Sequence, residues 1–184
     1  MTLGPRYLPG DPPPAAALDR MIRVDHAGEM GAERIYEGQI AVLGKGPKGN
    51  VLRHMAEQEK AHKRAFDEML PRRRVRPTIF APLWHVAGYA LGRATAGMGE
   101  TTAMACTVAV EEVIDDHYAD QAEKLRALGG EEELVKTVER FRAEELEHRD
   151  LAIDHGAENA PGSPVVSAAI KAGSKLAIWL SERF

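Results

Sequence analysis

Two strings of the same form could hold a metal ion: Glu59-Lys60-Ala61-His62 and Glu145-Leu146-Glu147-His148, each a Glu-x-x-His. On a helix, positions i and i+3 lie on one face, so each pair aims a carboxylate and an imidazole at one point. A Glu-rich helix produces such a pair by chance. What distinguishes these two is their phase against the apolar stripe of the same helix. Glu59 shares its face with Leu52, Met55, Phe66 and Met69, and Glu145 shares its own with Leu134, Val138, Phe141 and Ile153. Both therefore point inward, where an unpaired carboxylate is costly and a metal ion is the usual compensation. Glu57, Glu144 and Glu147 run in phase with Arg53, Arg64 and Arg140 and read as solvated.

Two inward Glu-x-x-His helices make a specific demand, because the ferritin-like di-metal carboxylate bundle adds one Glu from each of two further helices. Ile22, Glu29, Tyr36 and Leu43 recur every seven residues on a helix predicted over about 15–43, which turns Glu29 inward. Met104, Glu111, Tyr118 and Leu125 do the same for Glu111 on a helix over about 100–128, ended by Gly129-Gly130, with Glu112 as second choice. The helices of the Glu-x-x-His pairs are expected from a cap at Asn50 to a stop at Pro71, and from about Glu131 to before Pro161. Glu29 precedes Glu59 by 30 residues and Glu111 precedes Glu145 by 34, so a helical hairpin reads as stated twice, over 15–70 and 100–160, around a pseudo-twofold site. The predicted fold is all-α. It is a ferritin-like four-helix bundle with a long crossover (71–99) between helices two and three and an extra C-terminal helix (164–183). A flexible Pro/Gly-rich leader (1–14) precedes a single domain over 15–184.

Composition agrees with that reading. The 184 residues are 44% hydrophobic and 28% charged, ordinary for one globular core. A net charge of −4 leaves no basic surplus for nucleic acid. The lone Cys106 excludes an internal disulfide and reads as a buried thiol. No signal-peptide pattern and no run of 18 apolar residues is present. Gly44 to Gly49 spells G-x-G-x-x-G, but it follows a helix and contains Pro47, so it reads as an interhelical turn rather than a dinucleotide loop. Gly28, Gly31 and Gly38 each weaken a helix by roughly 1 kcal/mol relative to Ala. They mark places where another helix or a ligand comes close to the backbone.

Two segments are apolar without contributing to the site. Arg72, Arg73, Arg74 and Arg76 precede a charge-free run from Pro77 to Gly92 that carries Phe80, Leu83, Trp84, Tyr89 and Leu91. It is too short and broken to span a bilayer; a membrane interface or simple packing on the bundle are the alternatives. The last helix, opened by Ser163-Pro164, has a stripe of Val166, Ile170, Gly173, Ala177, Leu180 and Phe184, for packing or for a second membrane-facing surface.

Four carboxylates and two imidazoles suit a pair of iron or manganese ions. Glu59 and Glu145 are best placed to bridge, with Glu29 terminal beside His62 and Glu111 terminal beside His148. Metal-bound histidines donate their other N–H to a carboxylate; Asp25, Asp115 and Asp154 are the candidates. His155, on the face of His148, is the spare ligand, and Tyr118 reads as core.

At this point whole strings carry a resemblance. Ile22-Arg-Val-Asp-His-Ala-Gly-Glu29, Arg34-Ile-Tyr36, Gln58-Glu-Lys-Ala-His62, Ala103-Met-Ala-Cys-Thr-Val-Ala-Val-Glu-Glu112, Glu144-Glu-Leu-Glu-His148, Asp154-His155 and Leu180-Ser-Glu-Arg183 resemble the demethoxyubiquinone hydroxylase family, from residue 18 to the C-terminus. The resemblance implies a di-iron monooxygenase with ligands at Glu29, Glu59, His62, Glu111, Glu145 and His148, the six reached above. It implies hydroxylation of a polyprenyl demethoxy-benzoquinol ring by O2, one oxygen atom entering the ring and the other leaving as water. His117 and Tyr118 match positions associated with the quinone and electron delivery. NADH is the expected ultimate donor, although no nucleotide motif stands in the chain. A polyprenyl substrate implies peripheral membrane contact through 77–99 and 164–184, and the family works with a lipid-binding accessory protein in some organisms. The leader has no mitochondrial presequence character, which points to the cytoplasmic face of a bacterial inner membrane. The rival is a ferritin- or rubrerythrin-like protein storing iron or removing peroxide. It would use the same ligands but gain nothing from the apolar crossover and last helix.

Overall fold

A computed structural model of the chain describes residues 14–184, so the expected leader lies, but for Pro14, outside the described residues. The elements are α1 (Pro14–Leu43), α2 (Gly49–Arg73), α3 (Ala81–Gly97), α4 (Glu100–Leu128), α5 (Glu132–Asp154), a 3₁₀ turn (Ala157–Asn159) and α6 (Ser163–Arg183). No strand occurs among the described residues, and the chain is all-α as its periodicity indicates. The G-x-G-x-x-G string is the turn between α1 and α2, with Gly49 opening α2.

Two boundaries differ from expectation for local reasons. Asn50 does not cap α2; the helix starts two residues earlier than such a cap implies, at Gly49 behind Lys48, and Asn50 Oδ1 instead accepts from Arg53 Nη2 at 2.7 Å. Pro71 does not end α2. It sits in the last turn, where it forfeits one helical bond, and the chain turns only at Arg74, left-handed with φ 57°. There the Val75 N–H bonds Leu70 O at 2.9 Å and the Arg74 N–H bonds Pro71 O at 3.2 Å, a Schellman closure sealed by buried Val75 against the core beside Leu70. The last bundle helix ends before Pro161 as expected, at Asp154, and a separate 3₁₀ turn follows at Ala157–Asn159. Most of the crossover is itself helical, as α3.

α1 packs along α2, α4 along α5, and α2 faces α5, which closes the four-helix bundle. α3 lies along α1, and α6 lies against α4 and α1. The α1–α3 contact is backbone on backbone. A Cβ added at Gly92 would stand 2.0 Å from the Ile35 carbonyl oxygen, one at Gly38 would stand 2.3 Å from that of Tyr89, and one at Gly88 would stand 2.7 Å from that of Gly31. Gly38 is thus the close helix approach its position suggested. Gly31 is approached as well, by Gly88 of α3 on its carbonyl, although nothing lies within 4 Å of a Cβ built on Gly31 or on Gly28.

The bundle core is split. One apolar cluster gathers Ile22, Phe66, Tyr118, Leu125, Leu134 and Phe141; another gathers Tyr36, Leu52, Met55, Met104 and Ala152. On α1 and α4 the inward glutamates fall between members of the two clusters, and on α2 and α5 the Glu-x-x-His pairs do the same. The charged layer is therefore sandwiched mid-bundle between two greasy ones, away from water.

Candidate metal centre

Each bundle helix delivers its inward residues to that layer. Glu29 from α1, Glu59 and His62 from α2, Glu111 from α4, and Glu145 and His148 from α5 are all at most 2% exposed. Their donor atoms form two overlapping quartets: Glu29, Glu59, His62 and Glu145, and Glu59, Glu111, Glu145 and His148, each with its atoms within 4.8 Å of one another. Glu59 and Glu145 belong to both quartets, Glu29 goes with His62 and Glu111 with His148. Glu145 shows the sharing directly. Its Oε1 stands 3.0 Å from His62 Nδ1 and its Oε2 3.1 Å from His148 Nδ1.

Pseudo-twofold pairs hold the layer from outside. Tyr36, seven residues after Glu29, donates its hydroxyl to Glu111 Oε1 at 2.7 Å, and Tyr118, seven after Glu111, donates to Glu29 Oε1. The histidines are held the same way. His62 Nε2 meets Glu144 Oε2 at 2.5 Å, and His148 Nε2 meets Gln58 Oε1 at 2.9 Å. Each partner precedes the Glu of the opposite Glu-x-x-His by one residue. With Nε2 engaged outward, both Nδ1 atoms are left for the interior.

The candidates Asp25, Asp115 and Asp154 do not hold the histidines. Asp25, buried, accepts from Gln121 Nε2 at 2.7 Å and meets His117 Nε2 at 3.3 Å; Asp115 accepts from Arg142 Nε at 2.6 Å; Asp154 is exposed at the end of α5. Glu144, which reads as solvated from its helix phase, is the residue that reaches His62, because α5 turns that edge towards α2. Glu147 is exposed as expected. The second choice, Glu112, turns to Lys171 of α6 at 2.5 Å. His155 stands at the end of α5, seven residues after His148, with Lys48 Nζ 2.9 Å from its Nδ1, and is in neither quartet. His117 is half-buried against Asp25, and Tyr118 is buried against Glu29. Cys106 is fully buried, its thiol pushed up to about 12 by burial, as a core residue.

Of ten buried side-chain oxygen and nitrogen atoms without a hydrogen-bond partner among the described residues, six belong to this layer: Glu29 Oε2, both oxygens of Glu59, His62 Nδ1, Glu111 Oε2 and Glu145 Oε1. His62 Nδ1 lies 3.3 Å from Glu29 Oε2 and close to Glu145 Oε1, yet neither contact has hydrogen-bond alignment. Buried groups are normally paired, so a cluster of orphans converging on one volume fits cations. Protonation shows the same strain. Burial first, then the neighbouring carboxylates, holds Glu59 and Glu111 well above the ordinary carboxylate range, and Glu29 above it. Burial opposes charge at Glu145 too, but His148 and His62 pull it down to about 2. Burial likewise opposes an imidazolium at His62, yet Glu145 and Glu29 raise it to about 12.

Beside the layer runs an apolar cavity of about 490 Å³ between α1, α3, α4 and α6, lined among others by Gly28, Gly31, Trp84, Val110, Ile170 and Ala177. Gly28 immediately precedes Glu29, and Val110 immediately precedes Glu111. Neither this cavity nor Tyr36, Gln58 and Glu144 as holding groups is readable from single-helix periodicity. The twofold itself is the missing signal: once Glu59 and Glu145 face each other, the residues before them must each border the other's histidine.

The chain is 58% identical over 179 residues to the 3-demethoxyubiquinol 3-hydroxylase of Rhodospirillum rubrum, covering 96% of this chain and 82% of that protein. It is 54% identical over 171 residues to the NADPH-dependent 3-demethoxyubiquinone 3-hydroxylase, mitochondrial, of Mus musculus, covering 92% and 79%. It is 42% identical over 184 aligned positions to the 5-demethoxyubiquinone hydroxylase, mitochondrial, of Saccharomyces cerevisiae, covering 92% and 79%. The family profile described as ubiquinone biosynthesis protein COQ7 matches residues 16–181, all four bundle helices included, and the chain belongs to that family.

Proposed function

We propose that the chain is a di-iron monooxygenase that hydroxylates the ring of a polyprenyl demethoxy-benzoquinol with O2, in ubiquinone biosynthesis. The observation that carries this reading is the pair of quartets sharing Glu59 and Glu145 in a water-excluded layer next to an apolar cavity. The donor set, oxygen-rich with one imidazole per quartet, suits iron or manganese. Glu29, Glu59 and His62 would hold one ion and Glu111 and His148 the other, with Glu145 and Glu59 shared. When bound, iron supplies the electrons and the binding position that O2 needs to react with a ring carbon.

The chain's own groups do the rest. Tyr36 and Tyr118 each tie down one oxygen of a terminal carboxylate, which leaves Oε2 of Glu111 and of Glu29 directed inward without a partner. Glu144 and Gln58 fix the ring orientation and the tautomer of His62 and His148, so Nδ1 is the free donor. Tyr118 acts on the centre through Glu29, and His117 is paired with buried Asp25. The cavity excludes water and receives the apolar substrate; its size falls within the range of small-molecule sites.

Metal uptake should release protons and weaken as pH falls. Glu29, Glu59 and Glu111 bind protons above the ordinary carboxylate range, and a cation must displace them, as it must the proton on His62 Nδ1. Anaerobic calorimetric titration with Fe(II) in buffers of different ionisation enthalpy counts those protons. Uptake with no proton release and no pH dependence would remove the assignment.

The surface favours a membrane-borne substrate. Ile79 (71% exposed), Leu83 and Val86 stand out on or before α3, and Val165, Leu176 and Trp179 on α6, with exposed Arg72, Arg74 and Arg76 beside them. Trp84 Nε1 donates to Ser181 Oγ at 3.1 Å and Thr78 Oγ1 to the Phe184 carbonyl at 2.7 Å, so the two apolar segments form one surface. No helix among the described residues is long and apolar enough to cross a membrane. We read this surface as lying in the interface, on the cytoplasmic face of a bacterial inner membrane, where a lipid-binding accessory protein would present the quinol.

One experiment tests the reading. Iron-loaded protein is incubated with demethoxyubiquinol in anionic vesicles, ¹⁸O₂ and either NADH or NADPH, the reductant in the mouse relative's name. The protein should sediment with the vesicles, and mass spectrometry should show the quinol gaining one labelled oxygen atom. Iron bound and O2 consumed over an unmodified quinol would support the iron- or peroxide-handling reading instead.

A further inference from the structure

We infer that Gly28 and Gly31 set the width of the passage that takes the quinol's prenyl tail, and so determine which tails the enzyme accepts; this rests on the hydroxylase reading above. Both glycines lie in the middle of α1, where each weakens the helix relative to alanine. Apart from Gly97 and Gly173, the other glycines from Gly38 onwards, which pack or turn, have a visible reason. Gly38, Gly88 and Gly92 sit where backbones touch, and Gly99, Gly129, Gly130, Gly156 and Gly162 have positive φ. Gly28 has neither, and Gly31, whose carbonyl Gly88 packs against, does not itself need to be glycine for that contact. No atom lies within 4 Å of a Cβ at either position, and neither has positive φ.

What they share is the cavity. One turn apart on α1, both line it, on the side turned away from Glu29 and towards α3 and α6. Gly88 packs against the Gly31 carbonyl and closes the α3 edge, while Gly173 and Ala177 of α6, which also line the cavity, are equally short of side chain, and Gly173 too has nothing within 4 Å of an added Cβ. Backbones rather than flexible side chains therefore fix the width here, and a single methyl group changes it. Leu176 both lines the cavity and is 55% exposed, so the passage opens to the surface on α6 beside the exposed apolar residues. The ring end, by contrast, belongs next to Val110 and Ala32, the lining residues that flank Glu111 and follow Glu29 by one turn. A long apolar chain leading from the metal layer to a lipid-facing mouth has to pass the glycines.

The test compares wild type, Gly28→Ala and Gly31→Ala on two substrates: the polyprenyl quinol and the same ring with a methyl group in place of the tail. Each substitution should raise Tm by about 2–4 °C, because helical alanine replaces glycine in open space, and should leave bound iron unchanged. kcat/KM for the polyprenyl substrate should fall at least tenfold, while that for the tail-less ring stays within about twofold of wild type. Equal values for all three proteins on the polyprenyl substrate overturn the inference. So does an equal loss on both substrates, which would assign the glycines to the ring. A wild-type chain that hydroxylates neither substrate overturns the hydroxylase reading and the inference with it.

Discussion

Replacing Glu145 with alanine should reduce bound iron from two ions per chain to less than one and abolish hydroxylation. Glu145 is fully buried and is the residue whose two oxygens face the two inward imidazole nitrogens, at 3.0 and 3.1 Å. Losing a terminal carboxylate, Glu29 or Glu111, damages one quartet; losing Glu145 damages both. Even an outer partner of a metal ligand is worth about 10–100-fold in metal affinity or activity, so about 100-fold is the floor for a shared ligand. The fold should survive, because the two apolar clusters on either side contain neither Glu145 nor its contacts among their largest members, and one crowded carboxylate fewer relieves repulsion on Glu59 and Glu111. Glu147→Ala, two residues on, is the control: Glu147 is exposed, its contact to His54 is 3.7 Å, and iron and turnover should match wild type. Elemental analysis of the purified, iron-incubated variants reads the result. An E145A protein that keeps two ions would show that the shared position belongs to another residue.

The sequence makes the six inward residues legible because burial in a bundle is written along each helix separately. A heptad such as Ile22, Glu29, Tyr36 and Leu43 is a complete statement about one face, and the structure buries all of its first three members. Contacts between helices are written nowhere in one stripe. Glu144 lies in phase with arginines and looks solvated, yet the edge of α5 that carries it abuts His62 of α2. Residue type alone offers Asp25, Asp115 and Asp154 for that role, but Asp25 is committed to Gln121, Asp115 to Arg142, and Asp154 is exposed. Proline and glycine mislead in the same way. Pro71 signals a stop, but the core wants Leu70 and Val75 buried, and the helix runs on until both are placed. Gly88 and Gly92 make the 77–92 run look broken, whereas they are the points at which an intact helix, α3, meets α1.

Gly92→Ala should therefore do the reverse of what helix propensity says. In open helix the change is worth roughly 1 kcal/mol in favour of alanine, and Gly97→Ala, with nothing within 4 Å of the new atom, should be neutral or mildly stabilising. At position 92 the methyl carbon would stand 2.0 Å from the Ile35 carbonyl oxygen, 2.8 Å from its carbon and 3.0 Å from Ile35 Cα. All three are backbone atoms in the middle of α1, so no side chain can rotate out of the way, and α3 has to lift off. Overpacking typically costs about 1–3 kcal/mol; with backbone as the obstacle the upper end applies, equivalent to a fall in Tm of about 6–12 °C for a chain of this size. α3 carries no member of either quartet, so bound iron should be unchanged. It does carry Trp84, Gly88 and Leu91 of the cavity wall, so hydroxylation of the polyprenyl quinol should fall with iron still in place. That separation, metal kept and turnover lost, distinguishes a displaced wall from a damaged centre. A Gly92→Ala chain that melts at the wild-type temperature would mean that α3 does not press its backbone against α1.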